Sequence, residues 1–98
     1  MLGFFCIIMK HYVYIIYSEK FDKYYKGYST RPLLRLQEHN NGFSRYTSHF
    51  VPWKLVYLQS FDTKKEALKR ECSLKKYSKE QIKELIGSPK NELKNFIG

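Results

Sequence analysis

Ninety-eight residues, 43% hydrophobic, 17% aromatic and 28% charged, make one small folded domain and exclude a disordered tail. A chain of this length buries roughly 60–70% of the surface its unfolded form exposes, so any pocket must be shallow or shared with a partner. Eighteen Lys and Arg against nine Asp and Glu leave a formal charge of +9, which either draws polyanions to the surface or simply keeps the protein in solution.

The chain opens on MLGFFCIIM, apolar but without the basic region and small-residue cleavage site of a signal peptide. Residues 1–9 therefore read as an apolar N-terminal extension, with Met9 as an alternative start. No stretch reaches the ~18 apolar residues of a membrane span, and the expected compartment is the cytoplasm. YVYIIY (12–17) is β-branched and aromatic, the composition of a strand. SEKFD turns, and KYYKGY (23–28) returns as the second arm of a hairpin. Thr30 is placed to cap a helix that tolerates Pro32 in its first turn and stops at Asn40, before NNG. FSRYTSHFVP reads as a loop and WKLVYLQS (53–60) as a third strand. Thr63 and Glu66 form a capping box for a helix to about Tyr77, and Ser78 and Gln81 form another, whose helix Gly87 and Pro89 close. The order β-β-α-β-α-α predicts an α+β fold over residues 10–86, a small three-stranded sheet with helices against it. Residues 87–98 form a tail that docks through Phe96 and Ile97 or frays.

Cys6 and Cys72 are far apart, and His11, His39 and His49 show no metal-ligand spacing with them, so neither a disulfide framework nor a zinc site is expected. If the hairpin pairs Tyr17 with Asp22, Tyr14 stands directly opposite Tyr25 and two phenols share one face. Each tyrosine taken alone is more simply a half-buried packing residue. Arg35 and His39, four apart on the first helix, project together. They form either a solvated face or a phosphate grip, with a guanidinium fork for the oxygens and an imidazole to move a proton. Ala67, Glu71 and Leu74 fall at i, i+4 and i+7, so Glu71 interrupts an apolar stripe. A carboxylate there needs an ion pair with a neighbour such as Arg70 or Lys75, or a cation such as Mg²⁺, commonly held by one carboxylate completed by water and phosphate oxygens.

Tyr12-Val13-Tyr14, Tyr25-Lys26-Gly27, RPLLRLQEHN and EALKREC occur in an order and spacing that together resemble the GIY-YIG nuclease domain, over about Lys10 to Ile86. The chain is most similar to the family's small single-domain bacterial members. The first glycine of the name motif is Tyr12 here, the middle of the second motif is Lys26, and Tyr28 stands where some members carry a lysine. The resemblance implies a three-stranded antiparallel sheet flanked by helices and a metal-dependent endonuclease. It puts the catalytic set on Tyr14, Tyr25, Arg35, His39 and Glu71, with Glu71 as the ligand of Mg²⁺ or Mn²⁺. In that scheme the phenols orient and deprotonate water with their pKa lowered by nearby cations, Arg35 steadies charge on the phosphate, and His39 accepts or relays a proton.

Eight basic residues against three acidic ones between Lys64 and Lys83 suit backbone contacts that do not read sequence. Lys26, Arg45, Lys69, Arg70, Lys75 and Lys76 are the candidate nucleic-acid-binding residues. In the loop, Tyr46 and His49 can stack on an unpaired base or close the site, while Trp53 fits the core better. The expected partner is nucleic acid, DNA ahead of RNA, with no membrane and with room for a protein partner that supplies specificity. The alternative is a non-catalytic nucleic-acid-binding module or subunit on the same fold.

Overall fold

The computed structural model describes residues 9–97; most of the opening apolar segment and the side chain of Ile97 lie outside what it describes. Strand β1 (His11–Ser18) is the centre of a three-stranded antiparallel sheet, flanked by β2 (Lys23–Ser29) and β3 (Lys54–Phe61). Its apolar residues serve two cores because successive side chains point to opposite faces. Val13 and Ile15 pack with Tyr57 from β3, and Tyr14 and Ile16 pack with Trp53 and Leu58. Each fully buried aliphatic side chain contributes about 1.5–3 kcal/mol. A bulge between Ile15 and Ile16 lets β3 keep both sets in phase.

The hairpin register differs from the expected one by two residues. Ser18 pairs with Lys23 and Tyr17 with Tyr24, so Tyr14 stands opposite Gly27, and Tyr25 opposite Ile16. The cause is Asp22, whose φ of 52° is left-handed, a conformation that Asp tolerates and a strand does not. The turn therefore absorbs Asp22 and spans residues 19–22. A shift of two preserves the face of every side chain, so Tyr14 and Tyr25 remain on one side as diagonal neighbours.

Helix α1 (Pro32–Asn40) lies over the Tyr14 face, followed by a 3-10 turn at Thr47–Phe50. Thr30 does not cap α1: Arg31 is the N-cap without a side-chain bond, and the Ser29 hydroxyl accepts from the Arg31 N–H instead. Asn40 does more than end the helix. Its amide donates to the Trp53 carbonyl at 3.0 Å and accepts from the Trp53 N–H at 2.6 Å, fastening the loop to β3.

On the opposite face lie α2 (Lys64–Leu74), shorter than expected, and α3 (Lys79–Ile86). Thr63 accepts from the Glu66 N–H, and Ser78 with Gln81 forms a complete capping box. Residues beyond Gly87 fold back as α4 (Leu93–Ile97), with Phe96 edge-on to Tyr12 at 5.4 Å. No helix among the described residues is long and apolar enough to cross a membrane.

Candidate active site

Tyr14 sits in the middle of the central strand, where its ring is enclosed and only 2% exposed. Its hydroxyl lies 2.9 Å from His39 Nε2, reached because His39 is near the inner end of α1. The Tyr25 ring stands 5.2 Å from the His39 ring, so one imidazole touches both phenols. His39 is completely buried, so the Arg35/His39 stripe is not a solvated face. On α1 it is Leu33 and Leu34 that look outward.

Behind the imidazole is a residue that spacing did not single out. His39 Nδ1 lies 2.7 Å from the Thr47 hydroxyl oxygen, which in turn faces the Ser44 carbonyl at 3.4 Å. Trp53 Nε1 donates to the Thr47 carbonyl at 2.8 Å and holds the 3-10 turn in place. With a carbonyl to receive the Thr47 proton, its oxygen accepts from Nδ1–H. The network thus assigns His39 the tautomer whose bare Nε2 receives the Tyr14 O–H. Thr47 carries no motif, and only its burial against His39 identifies it.

Burial governs the electrostatics. It pushes the Tyr14 phenol up to about 12, opposed by the neighbouring Arg35, which favours the phenolate by charge and hydrogen bonding; Tyr25 and Glu71 act in the same direction as burial. Burial, with the Arg35 charge, likewise holds His39 down to about 4 against the pull of Glu38. The expected lowering of the phenol is therefore not what these residues achieve by themselves: enclosure outweighs the single guanidinium. At neutral pH the pair is a phenol donating to a neutral imidazole.

Arg35 is partly buried and pairs with Glu38 at 3.0 Å. Glu71 interrupts the buried Ala67/Leu74 stripe of α2, its side chain 18% exposed. Its only ion pair among the described residues is a loose one to Lys75, 3.5 Å away and well exposed. No hydrogen bond to the Glu71 carboxylate is made within the described residues, and no group of three carboxylate, His or Cys ligands occurs there. This donor set fits a hard cation bound through one carboxylate and otherwise by water and phosphate oxygens, as Mg²⁺ commonly is.

The remaining candidates spread over the surface. Arg45, Lys69, Lys75 and Lys76 are exposed. Arg70 turns inward, donating to Gln59 and to the Tyr77 hydroxyl, both at 3.3 Å. Lys26 is half-buried on β2, His49 is exposed, and Trp53 is core. Asn91 clamps the backbone of β3 to the end of α3.

The model of the GIY-YIG catalytic domain matches residues 10–84. A UPF0213 protein of Staphylococcus saprophyticus is 44% identical over 78 residues, covering 79% of this chain and 94% of that protein. One from the archaeon Haloquadratum walsbyi is 40% identical over 76 residues, 76% of this chain and 84% of the other. The solution NMR structure of the UPF0213 protein BH0048 from Bacillus halodurans superimposes with a TM-score of 0.54 at 30% identity, covering 91% of this chain and 95% of that one.

Proposed function

Because this chain belongs to the GIY-YIG family, we propose that it is a divalent-cation-dependent endonuclease that hydrolyses phosphodiester bonds in nucleic acid, with DNA favoured over RNA. The observation that carries this reading is the buried Tyr14–His39 bond at 2.9 Å.

A neutral His39 has Nε2 free to take one proton, and negative charge building on the phosphate would offset the burial that otherwise opposes the imidazolium. As water attacks the phosphorus, its proton passes to the Tyr14 oxygen while Tyr14 hands its own to His39 Nε2. The phenol thus relays without needing to ionise first, which answers its high pKa. The P–O ester bond opposite the water breaks, and the leaving oxygen takes a proton from solvent. Arg35 offers its guanidinium to the phosphate oxygens as charge builds on them. Glu71 would hold the cation, which supplies positive charge against the same oxygens. Tyr25 braces the imidazole from its other side.

Labelled single- and double-stranded DNA, incubated with Mg²⁺, Mn²⁺ or EDTA, tests the reading with the wild type, Glu71→Ala and Arg35→Ala. Cutting that requires the metal and vanishes in both variants is expected. Mn²⁺ should also raise the melting temperature of the wild type but not of Glu71→Ala. Binding without cutting by any of the three would make the chain a nucleic-acid-holding module. Equal cutting by all three would place the chemistry elsewhere.

A further inference from the structure

A cavity of about 200 Å³ opens along the outer edge of β2, running from Tyr46 on the Tyr14 side of the sheet round to Tyr24 and Lys26, whose side chains point to the α2–α3 face. Tyr46 walls it on the side of the 3-10 turn, Tyr24 and Lys26 rise from β2, and Tyr77 and Lys79 close it from the α2–α3 junction. The Tyr46 ring is 52% exposed and lies 6.2 Å from the Tyr25 ring. The cavity therefore begins one aromatic ring away from the catalytic cluster. From Tyr46 the aromatic row continues to Phe50 at 5.2 Å and to the exposed Phe21 a further 5.4 Å on.

Its charge is unbalanced. Asp22 neutralises Lys79 at 2.8 Å, whereas Lys26 has no carboxylate partner among the described residues. Lys26 is also partly desolvated, and burial pulls its ammonium below the ordinary lysine value. Lys23, at the rim, sits over the Phe50 ring at 5.1 Å. A desolvated cation gains from an anion placed beside it. A polynucleotide strand brings an anion with every residue, and an unpaired base adds a flat face for an aromatic ring. In an intact duplex that face is already stacked inside the helix.

We propose that this cavity holds one unpaired nucleotide adjoining the phosphate at the Tyr14–His39 site, its phosphate on Lys26 and its base on Tyr46, so that the substrate is single-stranded or frayed nucleic acid. The second clause rests on the nuclease reading; the binding of the nucleotide does not.

Binding in EDTA, where a metal-dependent reaction is silent, tests the site directly. The probes are short DNA and RNA strands carrying 2-aminopurine, single-stranded or annealed to a complement. Wild type and Tyr46→Phe should quench the single strands on binding and prefer them to duplex by about tenfold or more. Tyr46→Ala should lose the quenching and about five- to hundredfold in single-strand affinity, with duplex affinity little changed. Lys26→Gln should lower the slope of log affinity against log salt by about one contact. Equal affinity for duplex and single strand, or a Tyr46→Ala variant that binds and quenches like wild type, overturns the proposal. Adding Mg²⁺ or Mn²⁺ afterwards separates the two readings. Quenched strands that are never cut sink the nuclease and keep the cavity, whereas cutting without quenching or strand preference does the reverse.

Discussion

The Tyr14 ring packs against the bare α-carbon of Gly27, its cross-strand partner. A methyl group built on Gly27 would overlap the Tyr14 hydroxyl and ring carbons, with Cε2 only 2.9 Å away. The glycine is thus required by space, since it alone leaves room for the phenol to reach over β2 towards His39. Gly27→Ala should cost about 1–3 kcal/mol in urea unfolding, as overpacking does, and should displace the hydroxyl from His39. In a Tyr14→Ala background the same change should cost almost nothing, because the atoms it strikes are gone. Strict additivity of the two changes would show that Gly27 serves the backbone and not the phenol.

Thr47 sets which nitrogen of His39 faces Tyr14. Thr47→Val keeps the volume and removes the acceptor of Nδ1–H, freeing the ring to place its proton on Nε2, which then donates to the Tyr14 oxygen and can no longer receive the phenol proton. Cleavage should fall by at least about tenfold, up to the ~10²–10⁴ that a positioned acid or base contributes. Thr47→Ser should restore it. Nitrogen-15 shifts of His39 should report the tautomer change in the valine variant alone; a loss of activity with unchanged shifts would leave Thr47 as packing.

The buried imidazole also makes stability depend on acid. His39 titrates at about 4 in the folded chain against about 6.5 when unfolded. Above 6.5 it is neutral in both states and the fold has its full stability. Between 6.5 and 4 the unfolded chain takes up the proton and the folded one does not, so stability falls as pH falls. The full shift corresponds to about 3 kcal/mol. His39→Gln should flatten this part of the urea-midpoint profile, and a profile identical to wild type would move the acid sensitivity to another group.

Much of this molecule was legible because its local signals agree. YVYIIY has the composition of a strand, NNG ends a helix, and the Ser78/Gln81 box forms as read. Glu71 was conspicuous because a carboxylate breaks an otherwise apolar stripe, and among the described residues it has one loose partner. The hairpin register was not legible, since the left-handed conformation of Asp22 decides it and the Tyr17 hydroxyl and Lys79 hold that carboxylate from outside the turn. Thr47 was hidden for a similar reason: its partner is eight residues away, across a loop with no periodicity. The phenol's high pKa follows from enclosure by the whole fold, which no spacing of residues announces.

Asn91 offers a last test, because its side chain makes four bonds to the backbone. That side chain completes the open edge of β3: Oδ1 accepts from the N–H groups of Leu58 and Leu93, and Nδ2 donates to the carbonyls of Val56 and Ile86. Next to it, the Glu92 N–H donates to the Leu58 carbonyl at 2.7 Å, so these two residues act as a short surrogate strand. Asn91→Ala strands several half-buried backbone groups at once, at about 1–3 kcal/mol for each that water does not reach. The unfolding midpoint should drop by several degrees. Cleavage at a temperature well below that midpoint should stay at the wild-type rate, because no atom of Asn91 is bonded to Tyr14, Arg35, His39 or Glu71. A variant that folds normally but no longer cuts would put Asn91 in the reaction and overturn its assignment as a clamp.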